Sequence, residues 1–300
     1  MKRLIRPLVD EAARAWRVGG PPVRAAAVVG LVLMAVGLAH AIGFLVAGGP
    51  WQGPVAWRKP FAFGLSFGLA TVIVAWIVTR LAVGRRTAWL LLVPYALASA
   101  VEVAWVSVQR ARGVPSHFNN STFVDEMAFI GGGVTVSVIV VVLAVVLALA
   151  LRRPAAPPAL ASAIRSGLAI LLVSQAIGGA MIQRGIASLD AGGPASHAIS
   201  PAGDLKVSHA LAMHAIQVLP AVALWLMAGE RTASTARTVV RLFALGYAGV
   251  VAASLAQAAT GRAVTDPAPI ALVLVAAAVL VVAAAGRSAR LEWPESSRGA

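Results

Sequence analysis

Eight apolar stretches of 17 to 25 residues, almost free of Lys and Arg, divide this chain near 25–47, 61–83, 87–108, 127–151, 166–182, 208–228, 239–260 and 268–286. At ~1.5 Å per residue each is long enough as a helix to cross ~30 Å of hydrocarbon. Backbone groups in hydrocarbon must pair within a helix or a closed barrel, and runs of this length and hydropathy fit the helix. The predicted fold is an all-α integral membrane protein, a bundle of about eight transmembrane helices. Only 12% of the residues are charged, against ~25% in ordinary soluble chains.

Charge placement gives orientation. With the N-terminus inside, 18 of the 25 basic residues fall in cytoplasmic segments and 7 outside, which obeys the positive-inside rule. Both termini are then cytoplasmic. This reading gives a basic N-terminal segment at 1–24, a transmembrane domain at 25–286 and a tail at 287–300, in the cell (cytoplasmic) membrane. Residues 1–20 carry an amphipathic, Arg-rich pattern (Leu4, Ile5, Leu8, Val9, Ala12, Ala13, Trp16) suited to an anionic leaflet or to a solvated tail. Ala39-His40-Ala41 has the small-x-small look of a signal-peptide cleavage site, but the apolar run continues to Ala47 behind a long polar leader. A retained first helix fits better.

The net charge of +14 does not indicate a nucleic-acid partner, because the cations lie in short clusters between apolar blocks. The expected partners are the lipid bilayer and a small molecule reached from the outer face. The chain has no cysteine, which excludes thiolate zinc sites, iron–sulfur clusters and c-type haem attachment. Its richness in Ala, Val, Gly and Arg fits a GC-rich bacterial genome.

All five histidines, His40, His117, His197, His209 and His214, fall in outer loops or the outer halves of spans. Glu102 lies seven residues before the outer end of its helix at Gln109, ~10 Å deep. His40, His214 and Gln175 reach similar depth on three other helices. On the sixth span Lys206, His209, His214 and Gln217 share one arc at ~100° per residue, so this face is expected to look into the bundle. Glu102, Trp105 and Gln109 share a face of the third.

An ionisable group costs roughly 2.5 to 3.5 kcal/mol at the centre of a span and less toward the interface, so these residues are candidates for a site. His40, Glu102, His214 and His209 are the candidate ligands of a haem b or a divalent metal: imidazoles take haem iron axially, and two His with one carboxylate suit non-haem iron or zinc. Gln109, Gln175, Gln217 and Gln257 are expected to line it. Arg58, Lys59, Arg110, Arg112, His117, Asp125, Arg184 and Lys206 form an expected outer vestibule, whose cations either meet lipid phosphates or pair with Asp125, Glu126, Asp190 and Asp204. Asn119-Asn120-Ser121-Thr122 contains overlapping glycosylation sequons.

His40-Ala-Ile-Gly matches Gln175-Ala-Ile-Gly, and Ala98-Ser-Ala-Val-Glu102 matches Ala253-Ser-Leu-Ala-Gln257, a pattern that fits two parallel four-helix halves. In layout, though not in sequence motifs, the chain resembles haem A synthase, an eight-helix family of two four-helix halves with outer-side histidines. The resemblance implies haem chemistry at those imidazoles. Three functions are open: a haem- or metal-binding redox protein or membrane enzyme; a small-solute or proton-coupled transporter; and a non-catalytic subunit, with Gly131-Gly132-Gly133 and Gly178-Gly179 as close-packing sites.

Overall fold

A computed structural model describes residues 2–192, 205–229, 232–262 and 266–291. The elements among the described residues are the helices α1 (Lys2–Val18), α2 (Gly20–Ala47), α3 (Arg58–Val78), α4 (Arg85–Arg112), α5 (Phe123–Arg152), α6 (Pro158–Asp190), α7 (Leu205–Met227), α8 (Ala233–Ala259) and α9 (Pro269–Leu291). Seven of them, α2 to α8, are long and apolar enough to cross a membrane. The eighth expected span coincides with α9, whose apolar part Pro269–Ala284 is shorter than the others. His197, Asp204 and residues 292–300 lie outside the described residues.

Local chemistry sets the helix ends. Pro21 and Pro22 open α2, where a missing N–H costs nothing. Gly113 ends α4 in the left-handed region at φ 71°, a conformation glycine adopts freely. Thr122 and Asp125 form a reciprocal cap on α5: the Asp125 N–H donates to Thr122 Oγ1 (3.2 Å) and that hydroxyl donates to Asp125 Oδ2 (2.7 Å).

Large apolar side chains lie in the open along these helices. On α2, Leu31, Leu38, Ile42 and Leu45 are exposed while Gly30, Leu33 and Gly37 are buried. So much exposed hydrocarbon is foreign to a soluble surface and natural against lipid.

Two compact units are distinguished. The first comprises Arg14–Leu149 with Met181–Ile199, and the second Met1–Ala13, Ala150–Ala180 and Ser200–Ala300. In the first unit α2 and α3 meet backbone to backbone. A Cβ at Gly68 would stand 2.5 Å from the Gly30 carbonyl oxygen, and one at Gly64 2.5 Å from the Gly37 Cα. Gly64 and Gly68 form a Gly-x-x-x-Gly stripe, the spacing that places small residues on one helix face. In the second unit Gly167 of α6 seats Ala215 of α7, while Gly246 and Gly249 of α8 seat Ala278 of α9.

Of the glycines expected to pack closely, Gly178 does so and the others do not. Cβ atoms at Gly131, Gly133 and Gly179 would meet nothing within 4 Å. Gly132 faces the Glu102 carboxyl at 3.5 Å, and Gly178 faces the His209 ring at 3.2 Å.

Candidate functional sites within the two units

In the first unit α4 and α5 share polar contacts at two levels. Glu102 is 4% exposed and accepts a hydrogen bond from Thr135 Oγ1. The same hydroxyl lies 2.9 Å from the Gly132 and 3.2 Å from the Gly131 carbonyl oxygen, so its one hydrogen faces three acceptors. Nearer the helix ends, Asp125 is only 2% exposed. Its Oδ1 accepts from Gln109 Nε2 (2.7 Å) and Arg112 Nη1 (2.6 Å), and Arg112 Nη1 also donates to Gln109 Oε1 (2.6 Å). This network clasps the end of α4 to the start of α5. Arg112 and Asp125 therefore neutralise each other, and Gln109 serves the clasp.

His40, on α2, donates from Nδ1 to the Val36 carbonyl (2.8 Å). A carbonyl can only accept, so Nδ1 carries the hydrogen and Nε2 presents a lone pair in the neutral ring. The ring lies 6.2 Å from that of Trp57. Trp57 is fixed by its indole N–H to the Gly48 carbonyl (2.9 Å), with the Arg110 guanidinium 3.9 Å over its ring centroid. Gly43 makes room, since a Cβ there would stand 2.9 Å from the indole. A cation–π pair of Arg110 and Trp57, with the His40 imidazole tilted beside the indole, thus marks this end of α2.

His117 lies in the α4–α5 connection, with the Ser116 hydroxyl 3.1 Å from Nδ1 and the Phe63 ring edge-on at 5.7 Å. Burial, reinforced by the positive charge of Lys59, pushes its imidazole down to about 3. The unfolded ring titrates near 6.5, so from about 6.5 down to about 3 the unfolded chain binds the extra proton and stability falls with falling pH. Above 6.5 this contribution is constant. Thermal melts from pH 7.5 to 4 are expected to show an acid loss that His117→Phe reduces; an unchanged acid limb would place the effect elsewhere. Arg58 is exposed and Lys59 half-buried at the start of α3, and Arg184 is exposed on α6.

The second unit holds the other two described imidazoles, His209 and His214. His209 on α7 donates from Nδ1 to the Ser174 carbonyl of α6 (2.8 Å), and the Ser174 hydroxyl donates back to the His209 carbonyl (3.0 Å). His209 therefore also keeps Nε2 as an acceptor. His214 is exposed, so the arc expected to face inward is divided between an engaged His209 and an open His214. The Gln217 amide nitrogen donates to the His214 and Met213 carbonyls (2.9 and 3.1 Å), and Gln175 and Lys206 are half-buried. Gln257 brackets the α8–α9 turn: Nε2 donates to the Asp266 carbonyl (3.0 Å) and Oε1 accepts from the Ala268 N–H (2.7 Å). Beside it Arg262 and Asp266 pair through two contacts, at 2.6 and 2.9 Å, lowering the carboxyl pKa and raising the guanidinium's.

Of the ligand set read from the sequence, His40 and Glu102 belong to the first unit and His209 and His214 to the second. Among the described residues no three His, Asp or Glu side chains gather as a metal site requires. Sequence reasoning missed Trp57 as the support of His40, Ser174 as the partner of His209 and Thr135 as the partner of Glu102. Trp57 carried a signal in its interfacial position; Ser174 and Thr135 are ordinary residues in apolar helices. Comparison of the chain with protein-family models, curated proteins and solved structures gave no match.

Proposed function

We propose that this multi-pass chain is a redox protein of the cell membrane that holds a haem b through an outer-side imidazole, with His40 and His209 as the first candidates. The observation that carries the reading is shared by both residues: Nδ1–H is committed to a backbone carbonyl, and Nε2 is left with its lone pair. A backbone carbonyl on the far nitrogen is the support that fixes the tautomer and orientation of a ligating histidine. Haem iron needs one or two axial imidazoles, whereas a divalent ion needs several gathered donors. The placement of the described His, Asp and Glu side chains therefore favours haem. Bound there, the group would supply one-electron transfer. The chain's own part is to hold the imidazole, through Val36 and Trp57 at His40 or Ser174 at His209. Arg110, held over the Trp57 ring, brings positive charge to the His40 side.

An absorption spectrum and elemental analysis of detergent-purified protein test this. Stoichiometric iron with a Soret band is expected, lost in His40→Ala or His209→Ala while folded protein remains in the membrane fraction; His214→Ala is the third variant of the series. Metal without the band would favour a His/Glu site, and no metal after reconstitution would overturn the haem reading. A second reading, proton-coupled transport, draws support from the buried Glu102–Thr135 pair within α4 and α5. It requires solute flux in proteoliposomes that Glu102→Gln abolishes.

A further inference from the structure

Between α4 and α5 of the first unit runs a groove of about 590 Å³, walled by Leu90 and Pro94 on one side and by residues from Ile130 to Val142 on the other. It is open along its length, with Leu90, Ile130, Val134 and Val141 exposed, and extends ~18 Å along α5 at helical rise. Its lining is hydrocarbon apart from two features. Pro94 sits inside α4 and has no N–H, so the Leu90 carbonyl four residues earlier lacks its helical donor; the proline ring also pushes against that carbonyl. Leu90 and Pro94 both line the groove, and the released oxygen belongs to this turn of α4. The second feature is Ser137, whose hydroxyl hydrogen goes to the Gly133 carbonyl (2.8 Å). Its oxygen can then only accept.

The two polar features of the groove are therefore both acceptors, on spans whose exposed faces meet lipid rather than water. A saturated acyl chain would fill the volume and leave the carbonyl unpaired. A ketone or ester would bring a third acceptor. We propose that the α4–α5 groove binds a long-chain lipid alcohol, its hydrocarbon lying along α5 and its hydroxyl donating to the carbonyl released by Pro94. The site is separate from the imidazoles and does not depend on haem binding.

Gly133 lines the groove and a Cβ there meets open space, while Gly131 is equally open but does not line it. Leucine at 133 therefore fills the groove without a clash, and leucine at 131 is the matched control. The probe is a diazirine-bearing hexadecanol photolysed with the full-length protein in phosphatidylcholine nanodiscs, competed by hexadecanol or by its methyl ether. Labelling of the peptide containing 123–152 is expected, with the alcohol competing about tenfold better than the ether, the worth of one hydrogen bond. Gly133→Leu should abolish the label and Gly131→Leu should not. Pro94→Ala restores the N–H for Leu90 and should erase the preference for alcohol over ether while labelling persists. Equal competition by alcohol and ether in the wild type would reduce the groove to a seat for ordinary lipid tails. Absence of label, survival of the label in Gly133→Leu, or crosslinks between two copies of the chain would each overturn the proposal.

Discussion

Gly68→Leu is expected to break the docking of α2 on α3 and to give the largest loss of folded protein among single apolar substitutions. At this position even a methyl group would stand 2.5 Å from the Gly30 carbonyl oxygen and 2.6 Å from the Met34 side chain. The first obstacle is backbone, which cannot swing aside as a flexible side chain does. The helices must part along their length, and the van der Waals contact that holds helices together in lipid goes with them. Gly68→Ala should cost about 1–3 kcal/mol, the range for overpacking, and leucine more. Gly131→Leu, where the space is open, should cost little. Thermal unfolding in detergent, read by circular dichroism and size exclusion, ranks the three. A Gly68→Leu protein that melts with the wild type would mean that the seam contributes little to stability.

Asp125→Ala is the second change with a large expected effect. It removes a carboxylate that accepts from Gln109, Arg112 and Thr122 at 2.6–2.7 Å, leaving a guanidinium and an amide without the acceptor that organised them. It also removes half of the α5 cap. The consequence is a loosened α4–α5 connection, read as faster proteolysis between 113 and 122 and a lower melting temperature. Arg112→Ala in the same chain should recover part of the loss, because the cation left behind is then gone. If single and double variants lose the same stability as the sum of the parts, the two residues are not coupled and the clasp does not operate.

Most of the helical architecture is legible in the sequence because lipid leaves the backbone so few options. Block length located α2 to α8, with the largest difference at α6, which runs Pro158–Asp190 where 166–182 is expected. Rotation was the missing coordinate. His40 and His214 are expected at one depth, yet one neighbours Trp57 and the other is exposed. The glycine runs at 131–133 and 178–179 draw the eye, whereas the packing glycines are spaced out at 30, 37, 64 and 68. Of these only the Gly-x-x-x-Gly at 64–68 carried a recognisable spacing. Thr122-x-x-Asp125, beside the sequons, has the spacing of a helix cap. Gln257 matched Glu102 in the internal comparison and is also buried, but its amide is spent on the α8–α9 turn. No count of apolar residues distinguishes a polar side chain that holds its own chain together from one that waits for a ligand.

The contact between α2 and α3 also bears on the order of assembly in the membrane. Its two helices are neighbours in the chain, joined by the short segment between Ala47 and Arg58, and their seam uses glycine backbone that needs no side-chain rearrangement. The partner of α2 thus emerges from the ribosome immediately after it. These two spans can lock as a hairpin while α4 onward is still being made, giving later helices a finished surface to join.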